Sequence, residues 1–322
     1  MMENNEKKLF GQKCIVAVAI VLFFAAFVAL QIVNSYIFDI FTLTISVFAS
    51  FEITNLLTKM GKPNYKWMIV SYPILLYFIF LVTMLLGYGS VVLFVESLIL
   101  MAVMFLLTFI TSIWLLRNDT KNDAFRLSTG MSVSQFGFYK STNTLFGMYY
   151  PSFLMMFMYL INHIDTIGFD TITSNFNGLN VAVMGIIMVI GIATFSDTFA
   201  NIFGSLIKGP KLCPKISPNK TVSGFCFGLL GGVVATTIIY FVFNAIFGGA
   251  LTDVGLIRFM VVGLFGAVVS ALGDLVESYI KRKAGVKDAS NILLSHGGIL
   301  DRFDSFAFAT PYVFICMLLM LA

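Results

Sequence analysis

The chain has 322 residues, 59% of them hydrophobic and only 11% charged, with 35 phenylalanines and 17 methionines. A soluble domain carries about a quarter charged residues; this composition excludes that class, and successive apolar runs of bilayer-spanning length mark an all-α, polytopic integral membrane protein. The formal net charge of +4 resides on lysines and arginines set between apolar runs. A nucleic-acid binder would show a basic face interleaved with aromatics, so no nucleic-acid partner is expected.

In chain order, the opening MMENNEKKLFGQK and the run from Cys14 resemble the charged and apolar regions of a signal peptide. The run is too long for one and has no small-residue cleavage site, so an uncleaved first span is expected. Nine spans are predicted: Cys14–Ile32, Tyr36–Leu57, Met68–Leu86, Val91–Leu116, Phe146–Ile164, Asn180–Phe203, Val222–Phe247, Ile257–Ile280 and Phe303–Leu321. Cys14, Cys213, Cys226 and Cys316 form no C-x-x-C pair, which points to small buried hydrophobes rather than a zinc site or disulfide frame.

With the N-terminus inside, the cytoplasmic segments are 1–13, 58–67, 117–145, 204–221 and 281–302. Every lysine and arginine falls in them except Arg258, as the positive-inside rule requires. The outer 165–179 loop has Asp165 and Asp170 and no base. The polar, Ser/Thr-rich stretch Asn118–Phe146 reads equally as an interfacial segment or as a plain loop.

Acids within apolar spans are costly and usually functional. Asp39 and Glu96 lie near outer span ends, where solvation or local hydrogen bonding is expected; His163, also at an outer end, reads as an ordinary interfacial histidine. Glu52, Asp197, Asp274 and Glu277 fall in the inner parts of their spans, at one level, which suggests a shared cation.

Charge concentrates in Asp274–Asp304, where Asp274, Glu277, Asp288, Asp301 and Asp304 face Lys281, Arg282, Lys283, Lys287 and Arg302. Asp274, Glu277, Ser278 and Lys281 stand at i, i+3, i+4 and i+7, one face of a helix. That face is either a polar stripe against a neighbouring span, held by a Glu277–Lys281 pair, or half of a metal–phosphate site. Asp301 and Asp304 repeat the i, i+3 pattern, and Mg²⁺ binds through one or two carboxylates plus phosphate oxygens. Lys281, Arg282 and Lys287 are either loop charge or phosphate ligands. Gly297 and Gly298 favour the second reading, since paired glycines let backbone N–H groups approach a phosphate at a helix start. His296 has no nucleophile turn to serve. The island Pro214–Thr221 is a Pro-punctuated turn whose Ser217, Lys220 and Thr221 are also possible donors to a nucleotide; it is no P-loop.

Ser278-x-Ile-Lys281-Arg282, Lys287-Asp288 and His296-Gly297-Gly298-Ile-Leu-Asp301-Arg302-Phe-Asp304 together resemble the signature of the phosphatidate cytidylyltransferases (CDP-diacylglycerol synthases). Asp197-Thr198-Phe199-Ala200, Ile216-Ser217-Pro218-x-Lys220-Thr221 and Gly273-Asp274-Leu275-x-Glu277-Ser278 also resemble that family's motifs. The resemblance covers about 190–312. The chain departs from the family pattern at Leu294 (usually Pro or Gly), Asn201 (often Tyr) and Ser223 (often Glu or Gln).

The resemblance implies transfer of the cytidylyl group of CTP to phosphatidate (phosphatidic acid), giving CDP-diacylglycerol and pyrophosphate. It implies Mg²⁺, with room for a second cation, on Asp274 and Asp301 with Glu277 in support. Lys281, Arg282, Lys287, Asp288, His296, Arg302 and Asp304 would serve catalysis, and Asp197, Ser217, Lys220, Thr221, Ser278, Gly297 and Gly298 substrate binding. The expected organisation is an N-terminal set of lipid- or dimer-facing helices (1–145), serving a possible homodimer, and a catalytic membrane domain (146–322). The expected setting is the cell membrane, with the site on the cytoplasmic side. Two rivals stand beside this reading: the same chemistry on another lipid phosphate, and a secondary transporter with an intramembrane acidic ion site.

Overall fold

The computed structural model describes residues 29, 31–32, 34–88, 90–115, 120–164, 180–292 and 297–321. Eight helices among them are long and apolar enough to cross a membrane, and the protein is a multi-pass, all-α membrane protein. The predicted first span, Cys14–Ile32, falls almost wholly outside the described residues.

The elements are α1 (Ser35–Lys59), α2 (Lys66–Leu85), α3 (Ser90–Leu115), α4 (Thr120–Thr129), α5 (Val133–Gly147), a kinked segment at Met148–Phe153 in which Tyr150 leaves helical geometry, and α6 (Leu154–Asn162). There follow α7 (Val181–Ile207), β1 (Lys211–Cys213), β2 (Ser217–Thr221), α8 (Val222–Ile246), α9 (Leu256–Lys283) and α10 (Leu300–Leu321). Short polar side chains start the helices by accepting otherwise unpaired N–H groups. Asn34 caps α1 through the amides of Tyr36 and Ile37, Asn180 caps α7 through Val183, and Thr221 caps α8 through Gly224.

Two features depart from the sequence reading. In the described part of the Asn118–Phe146 stretch, α4 and α5 form, and α5 continues past a kink at Tyr150 into α6, Val133–Asn162 being the most enclosed of the eight spans. A Ser132–Gln135 capping box starts α5. Lys140, Asn143 and Thr144 are buried where they meet the α1–α2 connection. Tyr65 N–H donates to Thr144 Oγ1 at 3.0 Å, Asn143 Nδ2 donates to the Pro63 carbonyl at 3.1 Å, and the Lys140 ammonium lies 3.8 Å from the Tyr65 ring centroid. The second feature is the island after α7, which folds as a two-stranded antiparallel hairpin with Lys211 paired to Thr221 and Cys213 to Ser217.

Close helix contact organises the C-terminal half. The glycine face of α8 packs backbone to backbone: a Cβ on Gly231 would lie 2.5 Å from the Phe195 carbonyl oxygen of α7, and one on Gly232 would collide with the Gly263 carbonyl of α9. Small residues at such faces let helices approach where lipid gives no hydrophobic drive.

Asp39 is not solvated at an outer end but wholly buried. Its Oδ1 accepts from Asn162 Nδ2 and its Oδ2 meets His163 Nε2, each at 2.7 Å. His163 is accordingly a buried partner, ringed by Tyr36 and Phe80, rather than an interfacial one. Helices α1 and α6 are joined here by polar groups more than a hundred residues apart. Asp39→Ala removes the buried acceptor that both side chains share, although Asn162 Nδ2 keeps its bond to the Ser35 carbonyl, and is expected to destabilise the bundle by about 3 kcal/mol, read as a lowered Tm in detergent. Glu96 is bonded nearby, accepting from Thr83 Oγ1 at 2.5 Å.

Candidate active site

The C-terminal halves of α7 and α9 and the first turns of α10 bring Asp197, Asp274, Glu277, Asp301 and Asp304 close enough to act electrostatically on one another. Two ammonium groups answer these five carboxylates. Lys220, at the end of the hairpin, holds Asp274 Oδ2 with its Nζ at 2.6 Å. Lys281 pairs with Glu277 one turn earlier on α9 and reaches Asp301 Oδ1 on α10 at 2.6 Å. The expected Glu277–Lys281 pair therefore forms, and it bridges onward to the neighbouring span through Asp301.

Each carboxylate has its own surroundings. Asp274 is half-exposed and accepts from Ser278 Oγ at 3.3 Å. Glu277 is fully buried, and its Oε1 has no hydrogen-bond partner. Asp301 Oδ2 accepts from the amides of Gly298 at 2.7 Å and Ala289 at 2.9 Å. Asp304 is buried and accepts from the Ser305 amide at 2.6 Å.

Beside this cluster a cavity of about 760 Å³ opens between α7, the hairpin, α8 and α9. Asp197, Asp274, Ser217, Lys220 and Thr221 line it, with Lys208 and Lys211 among the other walls. Glu277, Lys281, Asp301 and Asp304 are not in its lining. The predicted site residues thus divide into a cavity-facing set and a set next to it, with Asp274 common to both. Thr221 has a second task as the cap of α8, and Ser223 Oγ donates to Thr221 Oγ1 at 3.2 Å while accepting from the Gly209 amide at 3.3 Å.

The remaining predicted residues take other places. Arg282 is exposed and braces the hairpin, its Nε donating to the Ile216 carbonyl at 3.2 Å and its guanidinium also to the Val286 carbonyl. Lys287, Asp288 and Arg302 are exposed at the same end. His296 lies outside the described residues, as does Leu294. Gly297 has φ of +81°, and a Cβ there would lie 2.7 Å from Asp301 Oδ2, so glycine is needed both for backbone and for space. The amides at the start of α10, read from sequence as phosphate donors, are given to the protein's own carboxylates. Gly298 donates to Asp301, and Ile299 and Leu300 donate to Glu52. Glu52, grouped by depth with Asp197, Asp274 and Glu277, thus shares this turn with Asp301.

Sequence reasoning missed Lys208, Lys211, Asn201 and Asn219 as cavity walls. The signal for the two lysines was present, since they flank Gly209-Pro210 between Asp197 and the Ser217–Thr221 segment.

Among the described residues no three histidine, cysteine or carboxylate side chains converge as a ready-made metal cage. The donor set nonetheless fits a hard divalent cation bound partly through substrate. Asp274 and Asp301 offer carboxylate oxygens, Glu277 is buried with an unbonded oxygen, and Mg²⁺ takes few protein ligands when phosphates supply the rest.

The profile of the cytidylyltransferase family matches residues 11–320, and the chain belongs to that family. The phosphatidate cytidylyltransferase of Bacillus subtilis (strain 168) is 44% identical over 124 residues, 38% of this chain and 44% of the relative. That of Staphylococcus aureus (strain COL) is 46% identical over 128 residues, 39% of this chain and 46% of the relative. That of Staphylococcus haemolyticus (strain JCSC1435) is 42% identical over 125 residues, 39% and 45% respectively. The chain spans less than half the length of the curated relatives it matches.

Proposed function

We propose that this protein transfers the cytidylyl group of CTP to phosphatidate at the cytoplasmic face of the cell membrane, giving CDP-diacylglycerol and pyrophosphate. The observation that carries the reading is the cavity whose wall holds Asp197, Ser217, Lys220 and Asp274 beside the Glu277–Lys281–Asp301 bridge. Names of the matching relatives support the choice of substrates. Nearly all basic residues flank the inner ends of the spans, which supports a cytoplasmic site.

The chemistry asks little of a general base. A phosphate oxygen of the lipid is already anionic near neutral pH and attacks the α-phosphorus of CTP. The bond from that phosphorus to the bridging oxygen of the β-phosphate breaks, and pyrophosphate leaves with the electron pair. The obstacle is repulsion between two anions, so positioned positive charge is the main requirement. Lys220 and Lys281 would supply it from the site, and Lys208 and Lys211 from the cavity wall. Asp274 and Asp301, with Glu277 behind them, would hold Mg²⁺, which when bound neutralises triphosphate charge and polarises the reacting phosphorus.

Lys208 gives a direct check. Among the described residues it is the one non-glycine with positive φ, at 51°, a left-handed backbone that costs a side chain about 1–2 kcal/mol. Lys208→Gly relieves that strain and removes a cation from the cavity. We expect stability to hold or rise, while CTP affinity falls roughly tenfold, the scale of one charged hydrogen bond. Isothermal titration and thermal unfolding measure the two.

The reaction itself is tested with CTP labelled at the α-phosphorus. Label should enter the lipid phase only when phosphatidate is present. Label entering a polyprenyl phosphate instead would keep the reaction class and replace the acceptor.

A further inference from the structure

We infer that Glu52 is a positioning residue for this reaction: from α1 it fixes the turn that presents Asp301. The inference rests on the reaction proposed above but concerns a residue outside the motif-bearing part of the chain. Glu52 is buried, with 1% of its surface exposed, in the inner half of α1. Its Oε1 accepts from Ser290 Oγ at 2.5 Å and from the Ile299 amide at 2.9 Å, and its Oε2 accepts from the Leu300 amide at 2.6 Å. A Cβ on Gly298 would lie 2.6 Å from Glu52 Oε1, so the turn closes directly over the carboxylate.

Three donors from two ends of one connection thus meet on a single side chain nearly 250 residues earlier. Ser290 follows Ala289, whose amide bonds Asp301 Oδ2, and Ile299 follows Gly298, whose amide bonds the same oxygen. The two carboxylates therefore clamp the same pair of strands of chain, one from each side. Asp301 faces Lys281 with its other oxygen, while Glu52 touches none of the cluster's cations. Its negative charge also sits at the first turn of α10, where the helix dipole favours it. A carboxylate is the side chain that answers all three donors, because both of its oxygens only accept. Glutamine would turn an NH₂ group toward a donor.

Glu52→Gln is the test, measured on the purified full chain in detergent beside wild type. A residue that orients a ligand through hydrogen bonds changes activity by about 10–100-fold when altered. We expect kcat to fall by that range while KM for CTP stays within about twofold, with hydrogen exchange at the Ile299 and Leu300 amides accelerated. Ser290→Ala removes one donor of three and should show the same split more weakly. Wild-type kcat in Glu52→Gln, or equal loss of CTP binding and of monodisperse protein in both variants, would overturn the positioning role. Wild type that releases no pyrophosphate from CTP and phosphatidate would instead overturn the reaction, and the role of Glu52 in it with it.

Discussion

Asp274→Asn is expected to abolish cytidylyl transfer while leaving the helical bundle folded. Asp274 is the carboxylate common to the cavity wall and the buried acidic cluster, and its Lys220 partner is about as exposed as it is. An exposed ion pair contributes about 1 kcal/mol or less, so removing its charge should barely move the Tm. Asparagine keeps an oxygen for Ser278 and loses the anionic ligand. The loss in kcat/KM should reach at least about 10²–10³-fold, the scale of deleting one electrostatic contact to a reacting centre. Pyrophosphate release and thermal unfolding in detergent read the two effects separately. Full activity would remove Asp274 from the machinery. Asp301→Asn should behave differently, losing stability as well as turnover, because Asp301 also receives Lys281 and two loop amides.

The second large effect belongs to Lys281. Its ammonium joins Glu277 and Asp301, and all three side chains are largely or wholly buried. Lys281→Met leaves two neighbouring carboxylates without their cation, and breaking a buried pair in this way costs about 3–5 kcal/mol. Activity should vanish along with the stability. Adding Glu277→Gln to Lys281→Met removes one of the two uncompensated charges, the fully buried one, and should recover part of the Tm without recovering turnover. If Lys281→Met unfolds like wild type, the bridge between α9 and α10 contributes nothing to folding.

The parts of the fold readable in advance were those where one signal dominates. Long apolar runs announced the spans, and the i, i+3, i+4 spacing from Asp274 to Lys281 put its side chains on one face of α9. Partners distant in the chain were not readable. Lys140, Asn143 and Thr144 looked like interfacial or loop residues because hydropathy registers their polarity and not the Tyr65 and Pro63 groups that satisfy it. Asp39 was expected to be solvated or bonded locally for the same reason, its partners being at the far end of α6. Glu52 was recognised as a costly acid at the depth of the other inner acids, but its partners were not readable. Its hydrogen bonds run to backbone amides, which every residue type carries and no motif marks.

The central claim is tested most directly by pyrophosphate release from CTP by the purified protein, measured with phosphatidate, with a polyprenyl phosphate and with no lipid, across a range of Mg²⁺. The account predicts release that requires both phosphatidate and Mg²⁺. Release that is indifferent to phosphatidate, or absent from a protein that binds neither CTP nor the lipid, would contradict it.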